Sequence, residues 1–254
     1  MQQHYAVEVM RSGAAKGRRR KAKVAKQTCF VFRTWGGLRR GAGRRRGADG
    51  APGHSARPKH SRHHPLHVTL RVVAGVPSLR SKQAFRVVKE ALALANSKGR
   101  HREHFRLVHY SVQGNHLHLI AEATDGLRLS RGVQGLSIRI ARRLNLALKR
   151  RGRLFSERFH ARALRTPREV RHALAYVLLN ERRHLAAERK LSLPPWYYDA
   201  CSSAAEFDGW RPMFGLDPPA APRPDVMRAA QTYLLRALWR RHGLIAPDEV
   251  PRGA

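Results

Sequence analysis

The order of hydrophobic patterns in the middle of the sequence most limits the folds open to this chain. Apolar and β-branched residues typical of strands occupy residues 66–73, Phe105–Val112 and His116–Ala123. Apolar residues at helical spacing predict helices over 79–94 and 133–148, and residues 154–164 predict a short strand or hairpin. Strand, helix, strand, strand, helix, strand is the order of the split βαβ, ferredoxin-like arrangement. We therefore expect an α+β fold, with an antiparallel sheet and helices on one face.

The start of a further helix is marked by three residues. Thr166 can cap a helix, Pro167 is favoured in a first turn, and Glu169 completes a capping box. A proline-rich segment follows, and a later apolar pattern predicts a short helix over 226–242. The chain thus divides into a basic flexible arm (1–62), a domain (63–190) and a C-terminal extension (191–254).

Positive charge is concentrated in the first two of these segments. The chain has 51 Lys+Arg against 17 Asp+Glu, a formal net charge of +34. The arm contributes +15 and the domain +19, whereas the extension is neutral. Such a surplus repels itself unless an anionic polymer neutralises it. Nucleic acid is the expected partner, with an anionic membrane surface as the alternative.

Neither a membrane span nor secretion is expected. No stretch approaches the roughly 18 uncharged apolar residues that a spanning helix needs, and the first thirty residues lack the pattern of a secretory signal. Cys29 and Cys201 are far apart in the sequence, which argues against a disulfide scaffold or a thiolate zinc site. We expect a cytoplasmic, nucleoid-associated protein that is a monomer or a homodimer.

Two pairs of residues are candidates for chemistry. His116 and His118 are two apart in a predicted strand, so their imidazoles emerge on one face and could share a metal ion, although such pairs are more often structural. Tyr176 and Asn180 are four apart on the capped helix, where a nucleophile and an amide oxygen could face the same point. A tyrosine on a helix is more usually a structural residue at the edge of the core, with its hydroxyl in water.

Three motifs together resemble a known family. NHLHLI, SERFHAR and YVLLN occur in this order, with a basic amphipathic helix between the first two. The combination, over residues 64–184, resembles the single-tyrosine HUH transposases, specifically the REP-associated group of the insertion-sequence-200-like superfamily. In that family the tyrosine helix commonly continues with Pro and a short basic turn, whereas here Glu181-Arg182-Arg183-His184 follows Asn180.

The resemblance implies a site and an activity. His116 and His118 would be metal ligands, Asn180 the amide ligand and Tyr176 the nucleophile. The activity implied is transposase-type nicking and rejoining of single-stranded or hairpin DNA through a covalent phosphotyrosine. Two imidazoles and an amide oxygen suit Mg²⁺ or Mn²⁺. The arginines expected to contact DNA are Arg139, Arg142, Arg143, Arg158 and Arg162.

Two other functions remain open at this point. His67-Val68-Thr69 has the His-x-Thr form of two-histidine RNA phosphoesterases, although His116-Leu117-His118 lacks the hydroxyl residue that a second such motif needs. A domesticated, non-catalytic nucleic-acid-binding protein would keep the fold and the basic surface without the reaction.

Overall fold

The computed structural model describes residues 60–98, 103–188, 193–194, 196–213 and 226–251. All of them belong to one compact unit of the chain. The predicted basic arm over residues 1–62 lies outside the described residues except for its last three positions. Within the described part, no helix is both long enough and apolar enough to cross a membrane.

The predicted split βαβ arrangement is present. Along the chain come β1 (Leu66–Arg71), α1 (Lys82–Lys98), β2 (Phe105–Val112), β3 (His116–Ala123), α2 (Gly126–Ala147) and β4 (His160–Ala163). The four strands form one antiparallel sheet in the order β2-β3-β1-β4. β4 is shorter than the predicted 154–164 segment, because only four of its residues pair with β1.

The first face of the sheet is covered by α1 and α2. Alternate residues of β1 and β3, such as Val68 and Leu119, are buried together with Leu92 of α1 and Ile140 of α2. This face carries one hydrophobic core, and it confirms the prediction that the two crossover helices lie on the same side.

The helix that follows β4 packs on the opposite face. This helix, α3 (Pro167–Leu178), begins with the predicted capping box at Thr166. Its buried residues Val170 and Leu174 pack with Val108 and Ile120, which point away from α1 and α2. The two crossover helices thus share one face and α3 covers the other, since β2 and β3 present apolar residues on both faces of the sheet.

The predicted helix through Tyr176 and Asn180 is two helices. The backbone bends at Leu179 (φ −108°, ψ 20°), and the chain continues as α4 (Asn180–Ala187). Leu179 donates its N–H to Ala175 O at 2.9 Å and accepts from the N–H of Arg183 at 3.0 Å, so the bend keeps its hydrogen bonds. It brings both Leu179 and Asn180 into the interior, where Asn180 is fully buried.

The prediction of one helix over 226–242 is also wrong in extent. That helix is replaced by α5 (Tyr233–Arg236) and a 3₁₀ helix over Leu238–His242. The residues before α5 bond to the sheet instead of to each other: the buried Glu122 carboxylate accepts the N–H groups of Gln231 (2.9 Å) and Thr232 (2.8 Å). Trp239, fully buried, joins the core around α3.

Substitutions at two glycines of α2 test this packing, because we expect them to change the free energy of unfolding in opposite directions. A Cβ at Gly132 would come within 2.3 Å of the Phe105 ring, whereas a Cβ at Gly135 would meet nothing within 4 Å. We expect Gly132→Ala to lower the free energy of unfolding by about 2 kcal/mol through overpacking. Gly135→Ala should raise it by roughly 0.5–1 kcal/mol through helix propensity. Urea denaturation measures both, and equal effects at the two positions would contradict the packing of α2 on β2.

Candidate functional site

The pairing of β1 with its two neighbours gathers histidines on the face covered by α3. Thr69 lies opposite His118 of β3 and opposite His160 of β4, and His67 lies opposite Arg162. Because paired residues point to the same side and side chains alternate along a strand, these residues share one face with His116. The polar alternate positions of β1 and β3 therefore form the floor of a site.

The imidazoles on this floor are in direct contact. His116 Nε2 lies 3.0 Å from His118 Nε2, and His118 Nδ1 lies 3.1 Å from His67 Nε2 and 3.3 Å from Thr69 Oγ1. His116 donates from Nδ1 to the Asn115 side-chain oxygen at 2.7 Å, because that oxygen only accepts. The Nε2 lone pair of His116 is thereby directed at His118.

The single proton of neutral His118 has two positions open to it. On Nε2 it donates to His116; on Nδ1 it donates to His67 or Thr69. In the second tautomer both Nε2 lone pairs point at the same space. Their 3.0 Å separation is also that of two nitrogens bound at right angles to one cation at about 2.1 Å. Hydrogen bonding on the far nitrogen is how ligand histidines are usually oriented.

Burial keeps these imidazoles uncharged at neutral pH. It lowers the pKa of His116 to about 4 and that of His118 to about 3, with further lowering by neighbouring imidazole and guanidinium groups that include His184. The pKa of His67 falls to about 4, first through burial and then through Arg162 and His160. A neutral imidazole is the form that binds a metal.

Tyr176 reaches the floor from α3. Its ring centroid lies 5.2 Å from that of His118 and 5.8 Å from that of His67, both in edge contacts. The guanidinium of Arg183, from α4, lies 5.4 Å from the ring centroid of Tyr176. The phenol is therefore bordered by neutral imidazoles and by one cation, which favours a negatively charged group beside it.

Asn180 supplies an unsatisfied buried amide one helix turn after Tyr176. Neither its Oδ1 nor its Nδ2 has a hydrogen-bond partner among the described residues, and the residue is fully buried. Buried polar atoms without a partner cost about 1–3 kcal/mol. The amide contacts neither imidazole of the His116–His118 pair by a hydrogen bond, so it is available to another ligand.

The residues present fit a cation held by a mixed ligand set. Among the described residues, no three His, Cys, Asp or Glu side chains are placed to hold a metal ion by themselves. Two neutral imidazoles and one unpartnered amide leave the remaining positions to water or to substrate oxygens, as a catalytic site requires. His116, His118 and Asn180 are the residues that could contribute.

Glu181, where the sequence departs from the family pattern, anchors α4 to the C-terminal extension. Arg80 donates to Glu181 at 2.5 Å and, with both terminal nitrogens, to Asp199 at 2.8 and 2.9 Å. Tyr197 donates its hydroxyl to the other oxygen of Glu181 at 2.7 Å. This network holds the first turn of α4, and hence Asn180, against the body of the domain.

The predicted DNA-contacting arginines do not lie together. Arg139, Arg142 and Arg143 belong to α2, on the opposite side of the sheet from Tyr176, and Arg143 pairs with Glu90 at 2.8 Å. Arg158 is exposed before β4, and only Arg162 lies on the floor with the histidines. Sequence reasoning missed Thr69 and Arg183, and it considered His67 only for another activity; the alternation of polar residues along β1 was the available signal.

A pair of buried asparagines tests the unsatisfied amide. Asn96 makes hydrogen bonds to Leu107 N, Leu107 O and Val226 O, whereas Asn180 makes none. In the presence of a chelator, we expect Asn180→Leu to leave the free energy of unfolding unchanged or to raise it by about 1 kcal/mol. Asn96→Leu should lower it by about 3 kcal/mol. Urea denaturation measures both changes. A large loss of unfolding free energy in Asn180→Leu would mean that the amide already has hydrogen-bond partners.

Acid should destabilise the chelator-treated protein through the buried histidines. His67, His109, His116 and His118 all have folded-state pKa values lowered by burial, to about 3 or 4. Their unfolded value is about 6.5, so the unfolded state binds more protons between these values. Stability is therefore fully present above pH 6.5 and is lost as the pH falls towards 4. Replacing His109, which lies outside the site, with Gln should flatten the urea-midpoint profile in this window; an unchanged profile would contradict its neutral burial.

No protein-family profile matches the sequence, and a search of curated proteins finds no match. A solved structure described as a REP-associated tyrosine transposase bound to a REP hairpin is similar over 52% of this chain and 74% of its own, at 17% identity and a TM-score of 0.40.

Proposed function

We propose that this chain is a transposase-type DNA strand-transfer enzyme that works through a covalent phosphotyrosine on Tyr176. The observation that carries the proposal is the packing of the Tyr176 ring at 5.2 Å from His118, on the face where two neutral imidazoles converge. The unpartnered Asn180 amide lies one helix turn away along the chain. A nucleophile, a potential cation site and an unused ligand thus occur on adjoining elements.

The charge around the site supports an anionic substrate. Arg183 lies beside the Tyr176 ring, and Arg162 and His160 are close enough to His67 to lower its pKa. A phosphodiester would find cationic groups on two sides of the phenol. Single-stranded or hairpin DNA is the form proposed, since a partly buried helix tyrosine can reach only a backbone that is splayed away from its partner strand.

His116, His118 and Asn180 are proposed to hold the cation, Mg²⁺ or Mn²⁺. When bound there, a divalent cation would withdraw negative charge from a phosphate oxygen and orient the phosphate. The chain prepares this by keeping both imidazoles neutral and by giving the His118 proton an alternative acceptor in His67 or Thr69. His67 and Thr69 act as positioning residues in this scheme.

The reaction at Tyr176 is proposed as a transesterification. The Tyr176 oxygen attacks phosphorus, a bond forms between them, and the bond from phosphorus to one deoxyribose oxygen breaks. The phenolic proton passes to water, and the departing oxygen takes a proton to become a free hydroxyl end. Since one phosphoester replaces another, the reverse attack by a different hydroxyl end would rejoin the strand without an external energy source.

A covalent-adduct assay tests the proposal. The protein is incubated with Mn²⁺ and labelled single-stranded or hairpin DNA taken from the sequence that flanks the gene, then denatured. We expect a labelled band that resists denaturant, is lost in Tyr176→Phe, and is retained in Tyr233→Phe, which changes an exposed tyrosine. Asn180→Leu should lower the yield by at least about tenfold through loss of a ligand. Cleavage that persists unchanged in Tyr176→Phe would contradict the mechanism.

Two further measurements distinguish the alternative functions. A non-catalytic DNA-binding protein would bind hairpin DNA with a steep dependence on salt and form no adduct with either cation. A two-histidine phosphoesterase would hydrolyse a cyclic phosphate in the presence of a chelator. The contact of His67 and Thr69 with His118 leaves no gap for a phosphate between the two motifs, which favours the positioning role.

A further inference from the structure

A cavity of about 500 Å³ opens beside Tyr176. Three parts of the chain line it: Arg162 of β4, one side of α3 from Arg168 to Tyr176, and residues 249–251 near the C-terminus. Its volume falls in the range of small-ligand sites, which begins at about 300 Å³. The cavity adjoins the histidine floor through Arg162 and Tyr176, although none of His67, His116 or His118 lines it.

The α3 side of the cavity carries three residues in a row. Arg168, His172 and Tyr176 are each four positions apart, so they lie on one side of the helix at intervals of about 6 Å along its axis. This interval is close to the spacing of successive phosphates along an extended nucleic-acid strand. A DNA strand whose phosphate meets Tyr176 would therefore run past His172 to Arg168, which lies about 12 Å along the helix axis, or roughly two phosphates away.

The cavity keeps a surplus of unused positive charge. Its two carboxylates are already engaged: Glu249 with both terminal nitrogens of Arg171 (3.0 and 2.9 Å), and Glu169 with the N–H groups of Arg165 (2.6 Å) and Thr166 (3.0 Å). By contrast, the side chains of Arg162 and Arg168 are exposed and make no hydrogen bond to another described residue, although Arg162 also attracts the Glu169 carboxylate. Both guanidinium groups therefore keep N–H donors for an anion.

The wall opposite α3 is apolar and fixed in place. We name residues 243–251 the C-terminal strap. Arg171 holds the strap by donating to the carbonyls of Gly243 (3.0 Å) and Leu244 (3.2 Å) in addition to Glu249. The strap presents the buried Pro251 and the half-exposed Val250 to the cavity. A flat apolar group would pack there, while a charged group would stay near the arginines.

We propose that this cavity binds one nucleotide of the DNA strand, close to the phosphate that Tyr176 attacks. The base packs against Val250 and Pro251 of the C-terminal strap, and the phosphate binds Arg162 and Arg168. This assignment rests on the proposed function, and it gives the C-terminal extension a role in holding the substrate. The strap is then a part of the binding site contributed by a segment outside the split βαβ domain.

Binding measured without cleavage tests the assignment. In a Tyr176→Phe background, the affinity for a fluorescently labelled single-stranded oligonucleotide of randomised sequence is measured by anisotropy. Arg162→Ala and Arg168→Ala should each weaken binding about tenfold, as expected for a charged hydrogen bond. Each should also reduce the salt slope by about 0.7. The matched control is Arg165→Ala, which removes an exposed arginine three positions from both and outside the cavity; it should weaken binding less than about twofold.

A competition experiment tests the apolar wall. A deoxynucleoside monophosphate should displace the oligonucleotide at about one tenth of the concentration that inorganic phosphate requires, because only the nucleotide packs a base against the strap. Equal potency of the two competitors, or equal loss in all three arginine variants, overturns the nucleotide site.

The outcome is distinguishable from failure of the proposed function. The predicted variant pattern without any adduct in the wild-type protein would retain the nucleotide site and reject strand transfer. An adduct with equal binding in all arginine variants would retain strand transfer and reject the nucleotide site.

Discussion

The antiparallel pairing of β1 with β3 determines which side chains meet on the site face. The register places Thr69 opposite His118. His67, two residues before Thr69 on the same face, lies with its Nε2 3.1 Å from His118 Nδ1. A slip of one residue would turn His67 and Thr69 into the core of α1 and α2 and bring Val68 to the site. The orientation of His118, the contact with Tyr176 and the acceptor for the His118 proton all depend on this register. The core on the other face enforces it, since the intervening residues Val68 and Leu119 are fully buried there.

The sheet separates the two concentrations of positive charge in the described part of the chain. The α2 arginines lie on one side, while Arg183 beside Tyr176 and the cavity residues Arg162 and Arg168 lie on the other. A DNA strand that reached Tyr176 would meet the arginines on the tyrosine side directly. It would have to pass around an edge of the sheet to meet the arginines of α2. The neutral histidines lie on the tyrosine side. Their low pKa values follow first from burial and then from neighbouring imidazole and guanidinium groups.

Much of the fold was predictable from the sequence because it depends on local periodicity. Two strands, Phe105–Val112 and His116–Ala123, have the predicted bounds, and the capping box at Thr166 marks the start of α3. The predictions failed where tertiary contacts overrode local preference. Residues before α5 extend along the sheet because Glu122 takes their N–H groups, which no local pattern signals. Likewise, the placement of α3 on the second face required knowing that Val108 and Ile120 both point there.

The candidate site was predictable in part, for the same reason. His116, His118 and Tyr176 come together as their positions on strand and helix suggested, whereas His67 and Arg183 join them only through strand pairing and through the bend at Leu179. The residues after Asn180 did not predict the bend at Leu179 between α3 and α4. The bend buries the amide, while Glu181 ties α4 to Arg80 and so helps to hold Asn180 in place.

We propose that His116, His118 and Asn180 together hold a divalent cation. Anomalous diffraction from crystals soaked in Mn²⁺ tests it most directly. The account predicts a peak bound by Nε2 of both histidines and by the Asn180 side-chain oxygen, and the loss of that peak in crystals of Asn180→Leu. A peak that persists in that variant, or the lack of any peak between the two imidazoles in the wild-type protein, would contradict it.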